Sequence, residues 1–357
     1  MAPISTSPEF SREEVGLALR NPGMQLEGLR YPITPIGMHY LLTHFDIPHV
    51  DPTTYELPVT GRVRNSLRLT LEDIKSRPKV TMPVMMECGG NGRAYLSPRP
   101  ISSPWHDEAV GCAEWTGTPL RPLLEEAGLM DDTVEIVFTG YDRGVDQDVE
   151  HDYGRSLTPE DALRDEVFLA YEMNGQPLPP QHGSPLRLVV PDWYGMASVK
   201  WLKEIRAVDE PFEGIQQVVA YNYRQSEDDP GTPVTRKHPH ALMVPPGIPD
   251  FLTRGRHAPV GNTEIEGRAW SGFGPIEKVE FSPDGGETWQ EADLGEATGP
   301  YGWTYWSHEW DAQPGESELC VRATDASGKT QPVRSDESWN QGGYGINVAQ
   351  RVAVRVE

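Results

Sequence analysis

Beyond about residue 240 the chain loses every helical period, and that loss restricts its fold more than any other feature. There "IEKVEF" runs into the turn "SPDGGE" and then "TWQEADL". "ELCVRAT" sets Leu319, Val321 and Ala323 on one face before the turn "DASGK", and "RVAVRVE" alternates Val352, Val354 and Val356. A period of two sends successive side chains to opposite faces of a sheet. About six short strands in roughly 110 residues, separated by turn residues, predict an antiparallel sandwich of immunoglobulin type. The Pro-rich "HPHALMVPPGIPD" precedes them. It sets the expected boundary: one domain over 10–240 and an all-β domain over 241–357.

The first part reads as mixed α+β. In "SREEVGLALR" Ser11 is an N-cap with Glu14 closing a capping box. "TLEDIKSRP" starts a helix at Thr70 with Asp73 in its first turn. In "TGTPLRPLLEEAGL" Thr118 is the expected cap and Pro119 the first helical residue. Leu120, Leu123, Leu124 and Ala127 share one face there, and Gly128 is the stop. "LTPEDALRD" repeats the pattern from Thr158 and Pro159. Between the helices, "TVEIVFTGYD" alternates Val134, Ile136 and Phe138, and "SPLRLVVPDW" alternates Leu186, Leu188 and Val190.

Thirty-one basic against 54 acidic residues leave a net charge of −23, which repels phosphate backbones and anionic membranes. Nucleic acid is therefore excluded as a partner, and any anion site needs local Arg or Lys. No apolar run reaches the roughly 18 residues of a membrane helix. Cys88, Cys112 and Cys320 are too few, and odd in number, for a disulfide framework. The start "MAPISTSPEF" has neither a signal peptide's pattern nor twin arginines. Both points place the protein in the cytoplasm; an export signal cleaved from a longer precursor would make it periplasmic.

Chemistry concentrates in "MMECGGNGRAYL". Cys88 ends an apolar run, and glycines at 89, 90 and 92 strip side-chain bulk from the turn that follows. They let the backbone approach something large and free its N–H groups to point at it. Asn91 and Arg93 add donors. A thiolate in such a turn suits a soft metal or a polar cofactor better than a core. Arg187, in the otherwise apolar "SPLRLVV", and Lys200, in "SVKWL", need anionic partners if their faces are buried.

"ECGGNGR" resembles the molybdenum-cysteine loop of the sulfite oxidase family, which also includes assimilatory nitrate reductases and the sulfane dehydrogenase subunit. Residues 169–205, "GCAEWTGTPL" and "GRAWSGFGPIEKVEFSPDGGETW" resemble further family signatures, so the likeness runs over about 40–350. It implies a sulfite-oxidase-type molybdopterin domain followed by a dimerisation sandwich, with one molybdopterin and molybdenum bound through Cys88. Tyr40 and His44 in "HYLLTHF", Asn91, Asp142, His182, Arg187, Ser198, Val199 and Lys200 fall at cofactor contacts. Tyr221, with Tyr223 two residues away, Trp105 and Arg93 fall on the substrate side. The implied reaction is two-electron oxygen-atom transfer, oxidising sulfite or a related sulfur compound. A reductase of an S- or N-oxide is the alternative. With no haem or flavin motif, electrons pass to a separate acceptor, and the chain forms a homodimer through its C-terminal domain.

Two positions depart from the sulfite-oxidising pattern: Leu42 and Gly342 stand where those relatives carry arginine. An arginine that bonds an anion is worth roughly 1.5–3 kcal/mol, so two losses amount to about a hundredfold or more in affinity. Arg99 and Arg143 are candidates to fill the gap, and a less charged substrate is the other solution. A non-catalytic β-sandwich binding protein would keep the fold and hold no metal. "SPDGGETW" matches the Asp-box of sialidase propellers, but a single copy reads as a hairpin turn. "KHPH", with His238 and His240, reads as linker.

Overall fold

The computed structural model describes residues 3–357. Two five-stranded sheets build the first part. One runs in the order Gln176–Pro177, Phe168–Met173, Val110–Pro119, Val80–Glu87, with Arg187–Val189 also paired to Phe168–Met173. The other runs Leu67–Thr70, Glu56–Gly61, Leu202–Val208, Glu135–Asp146, Val149–Leu157. Its only parallel pair joins Leu202–Val208 to Glu56–Gly61. The larger core lies against the second sheet. It includes Leu57, Ile136, Phe138, Leu202 and Ile205 with Leu120, Leu123, Leu124 and Ala127 of one helix.

The capping boxes of Ser11 with Glu14 and Thr70 with Asp73 are present, and Thr158 caps the turn that begins at Pro159. The helix Leu120–Ala127 differs from expectation at its start. Thr118 is a strand residue paired with Leu169, and Pro119 takes the N-cap position with no side-chain cap. The strand feeds straight into the helix, so the threonine's pairing overrides its capping preference. Gly128 ends the helix at φ +67. Val134 precedes its strand and is exposed, while Val137 is buried beside Ile136 and Phe138. Val189 is buried beside Leu188 in the same way. Both strands are covered on both faces, so alternation understates their burial.

The sandwich consists of a four-stranded sheet and a six-stranded sheet. The first runs His240–Met243, Gly261–Trp270, Thr304–Ala312, Asp293–Ala297. The second runs Ile248–Pro249, Arg256–Ala258, Gln350–Val356, Gly315–Asp325, Ile276–Ser282, Gln290–Glu291. Ala241, Ile265, Trp306 and Trp310 of the first pack on Phe281, Val321, Val352 and Val354 of the second. In the "SPDGGET" turn, Asp284 accepts from Ser282, Glu287 and Thr288, so the turn satisfies its own polar groups.

Met24, Met85, Val110 and Cys112 meet Leu242, Val244, Trp270 and Trp303 in an apolar seam between the sandwich and the cysteine-bearing sheet. Burial pushes the Cys112 thiol up to about 12 and Cys320, in the sandwich, to about 11. Both are packing groups. Among the described residues no helix is long and apolar enough to cross a membrane.

Candidate active site

Cys88 follows directly on the strand Val80–Glu87, its N–H donating to the Ala109 carbonyl at 2.9 Å. The chain then turns sharply. Asn91 N–H returns to the Cys88 carbonyl at 3.0 Å, and Gly92 adopts φ +79. The Gly90 N–H points at Cys88 Sγ, 3.5 Å away. Burial raises the thiol pKa; the Gly90 amide, Arg93 and Trp105 oppose that rise.

The glycines clear space mostly for the protein itself. A Cβ at Gly90 would lie 2.6 Å from the Arg93 guanidinium, and one at Gly92 would lie 2.4 Å from the Ile346 carbonyl. Asn91 also departs from expectation and does not face a cavity. Its amide donates to Glu87 Oε1 at 3.1 Å, and its oxygen accepts from Ala109 N–H at 3.0 Å. Both ends of the side chain brace the loop.

Cys88 lines two cavities. The first is a narrow cleft that brings together Tyr40, His44, Asp142, His182, Arg187, Ser198, Val199, Lys200 and Tyr221. Its charge is unbalanced. Arg187, 5% exposed, donates to the carbonyls of His182 (3.1 Å) and Ser198 (2.9 Å). Lys200 donates to the carbonyls of Leu42 (2.6 Å) and Gln181 (3.3 Å). Asp142 is the one acid on the wall, and its Oδ1 has no hydrogen-bond partner. Burial lowers the pKa values of Lys200 and Arg187, the latter to about 10, and raises that of Asp142. It also pushes His39 to about 4, His44 to about 3 and His182 to about 2, so these imidazoles are neutral. Such a cleft favours an anion rich in acceptors.

The second cavity, about 450 Å³, adjoins the first and shares Leu42, His44, Cys88 and Tyr221 with it. Arg93, Trp105, Leu42, Tyr344 and Tyr221 line it. Arg93 donates to the carbonyls of Ser103 and Gly342, each at 3.3 Å, and its Nε has no acceptor. Tyr221 lies at φ +56, strained for a tyrosine, with its hydroxyl 2.7 Å from His44 Nε2. Tyr223 borders neither cavity and reaches His238 instead.

Neither arginine expected to compensate does so. Arg99 is paired with Glu14 at 2.9 Å, and Arg143 with Glu150 and Asp152 at the surface. At position 342 a Cβ would strike the Tyr344 ring at 2.3 Å, so the aromatic ring occupies the space an arginine would need.

His240 is not linker. It is 1% exposed, and its Nδ1 lies 3.0 Å from Glu87 Oε1. Trp270 Nε1 donates to Glu87 Oε2 at 2.9 Å. The residue before the cysteine is thus tied to the sandwich. Arg155 was also unforeseen. Buried, with no acceptor for Nε, it lies 5.7 Å from the centre of the Tyr221 ring. Its alternation with Tyr153 and Leu157 carried the signal, for all three fall on one face of a strand.

Residues 44–216 match the oxidoreductase molybdopterin binding domain, and residues 246–357 match the Mo-co oxidoreductase dimerisation domain. The sulfite oxidase of Gallus gallus is 32% identical over 86% of this chain and 70% of its own length. The chain belongs to the sulfite oxidase family. The mitochondrial sulfite oxidase of Drosophila melanogaster is 32% identical over 90% of this chain, which spans 59% of that relative's length. Proteins described as nitrate reductases match as well. Among solved structures, the sulfane dehydrogenase SoxCD of Paracoccus pantotrophus aligns with a TM-score of 0.79 at 27% identity, covering 94% of this chain and 86% of that one.

The cleft fits the family's cofactor on its own chemistry. Among the described residues no three His, Cys, Asp or Glu side chains gather to hold a metal. A metal beside the Cys88 sulfur would therefore find at most that one protein ligand, and the others would have to come from the cofactor. Arg187, which no acid pairs, and Lys200, whose charge Asp142 offsets in part, suit its phosphate, and the neutral histidines suit the edge of a pterin.

Proposed function

We propose that this chain is a molybdenum-dependent oxidoreductase that oxidises sulfite or a related sulfur compound by two-electron oxygen-atom transfer. One observation carries the reading: Cys88 lines both a cationic cleft and a wider adjoining cavity with Arg93 and Trp105. When bound, molybdopterin supplies a molybdenum centre that cycles between oxidation states two electrons apart.

The residues position and polarise. Arg93 draws an anionic head group toward the sulfur side of the cavity. The buried Trp105 indole N–H, beside the Cys88 sulfur, adds a second donor. Neutral His44, carrying its proton on Nε2, donates to the Tyr221 oxygen and frees the phenolic proton for the cavity. Arg155, outside both cavities, lies beneath the Tyr221 ring and donates to the Gln216 carbonyl, which backs that ring. Electrons leave to a separate acceptor. The dimerisation domain supports a homodimer through residues 246–357.

The optical spectrum of molybdenum-replete protein tests this. A band from the Cys88 sulfur to oxidised molybdenum should bleach on anaerobic addition of excess sulfite. Cys88→Ser should fold, lose the band and lose turnover. Full turnover in that variant, or no molybdenum in wild type grown with molybdate, ends the reading.

A further inference from the structure

The cavity beside Cys88 is larger than an inorganic anion needs, and part of its wall is apolar. Its 450 Å³ lies in the range that holds a drug-sized organic ligand. Its wall includes Leu42, Ile101, Trp105, Val219 and Tyr344. Sulfite has four heavy atoms, so it would leave most of that wall uncovered.

Charge points the same way. Arg93, 6% exposed, is the one buried guanidinium on the wall, and its Nε lacks an acceptor. Arg224, at the rim, is already turned to the carbonyls of Val218 and Pro230. With Asp146 also on the wall against Arg93 and Arg224, the lining carries one net positive charge, which balances a monoanion and underbalances a dianion. The buried Trp105 N–H, beside the Cys88 sulfur, is a neutral donor within the same wall.

Resting on the function proposed above, we infer that the substrate is an organic sulfinate, R–SO2⁻, whose apolar R group lies along Leu42, Ile101 and Val219. The reaction is R–SO2⁻ + H2O → R–SO3⁻ + 2 H⁺ + 2 e⁻. The sulfur lone pair forms the new S–O bond, the oxygen derives from water, and the protons pass to solvent. The two electrons reduce two equivalents of a one-electron acceptor, ferricyanide in the assay. Like sulfite, a sulfinate has a sulfur lone pair and a two-oxygen anionic face, but it has one charge and an apolar arm.

The test compares sulfite, methanesulfinate and benzenesulfinate as reductants of ferricyanide with molybdenum-replete protein. Burying a phenyl group predicts a kcat/KM for benzenesulfinate at least about tenfold above that for sulfite, mostly through KM. Methanesulfinate should fall between them. In calorimetry, benzenesulfonate should bind and sulfate should not, and Ile101→Asn should weaken benzenesulfonate about tenfold. Leu42→Arg should reverse the kinetic order. Sulfite matching or exceeding benzenesulfinate would overturn the inference and leave the oxidase reading intact. If no sulfur compound reduces protein that dithionite reduces, both readings fail.

Discussion

Two buried arginines in this molecule have opposite surroundings. Arg99, near the N-terminal helix, binds Glu14 through Nε at 2.9 Å and a second nitrogen at 3.3 Å, and donates to the carbonyls of Ser7 and Glu9. The ring of Phe10 lies 4.6 Å from its guanidinium carbon. Arg187, in the cleft, is equally buried but meets carbonyls, the sulfur of Met86 and the face of Trp115. No acid pairs with it among the described residues. The first site neutralises its own charge and serves the fold. The second keeps a charge uncompensated, which is what a site for an anionic cofactor requires.

The largest expected effect falls on the self-sufficient pair. Glu14→Leu leaves Arg99 buried and unpaired and should cost about 3 kcal/mol of stability in denaturant melts, with little change in molybdenum content per folded protein. The same pair sets an acid limit. Burial pushes Glu14 up, but Arg99 and Ser11 outweigh it, so its folded pKa lies below the ordinary 4.5. A depressed carboxylate stabilises the fold above its unfolded pKa. That contribution should therefore fade as pH drops below about 4.5, and Glu14→Leu should lack the fade.

Arg187→Met should give the converse. Losing its hydrogen bonds and losing an unpaired buried charge offset each other, so the cofactor-free protein should change by no more than about 1 kcal/mol. Its molybdopterin content should fall tenfold or more. Apoprotein destabilised as much as by Glu14→Leu would break the contrast.

The smallest effect is a slope. Burial lowers the folded pKa of Lys200 beneath the ordinary 10.5. Between those two values the unfolded chain binds more protons than the folded one, so apoprotein stability should rise with pH across that interval. Cofactor-loaded protein, and Lys200→Met apoprotein, should show a flatter profile.

How much of this was legible in the sequence depended on reach. Ser11 with Glu14 and Thr158 with Asp161 are contacts three residues apart, and the caps could be read directly. Thr118 misled because strand pairing with a distant partner outranked a local preference. Arg187 stood out as a charge in an apolar strand. Arg155 carries the same signal in "DYGRSL", where it shares a buried strand face with Tyr153 and Leu157. Asn91 misled because a glycine-rich turn does not reveal which way its side chains face. The pairing of Glu87 with His240 spans 153 residues, and no local pattern announces it.

That pairing also limits how the protein can be taken apart. Glu87 adjoins Cys88 in the chain, yet its carboxylate is held by His240 and Trp270 of the sandwich. Truncation before residue 240 would leave the Glu87 carboxylate with Asn91 as its one remaining side-chain partner and open the seam around Trp270. The catalytic half is therefore a poor candidate for transplantation on its own. A functional graft or fusion would have to carry the C-terminal half as part of the same mould.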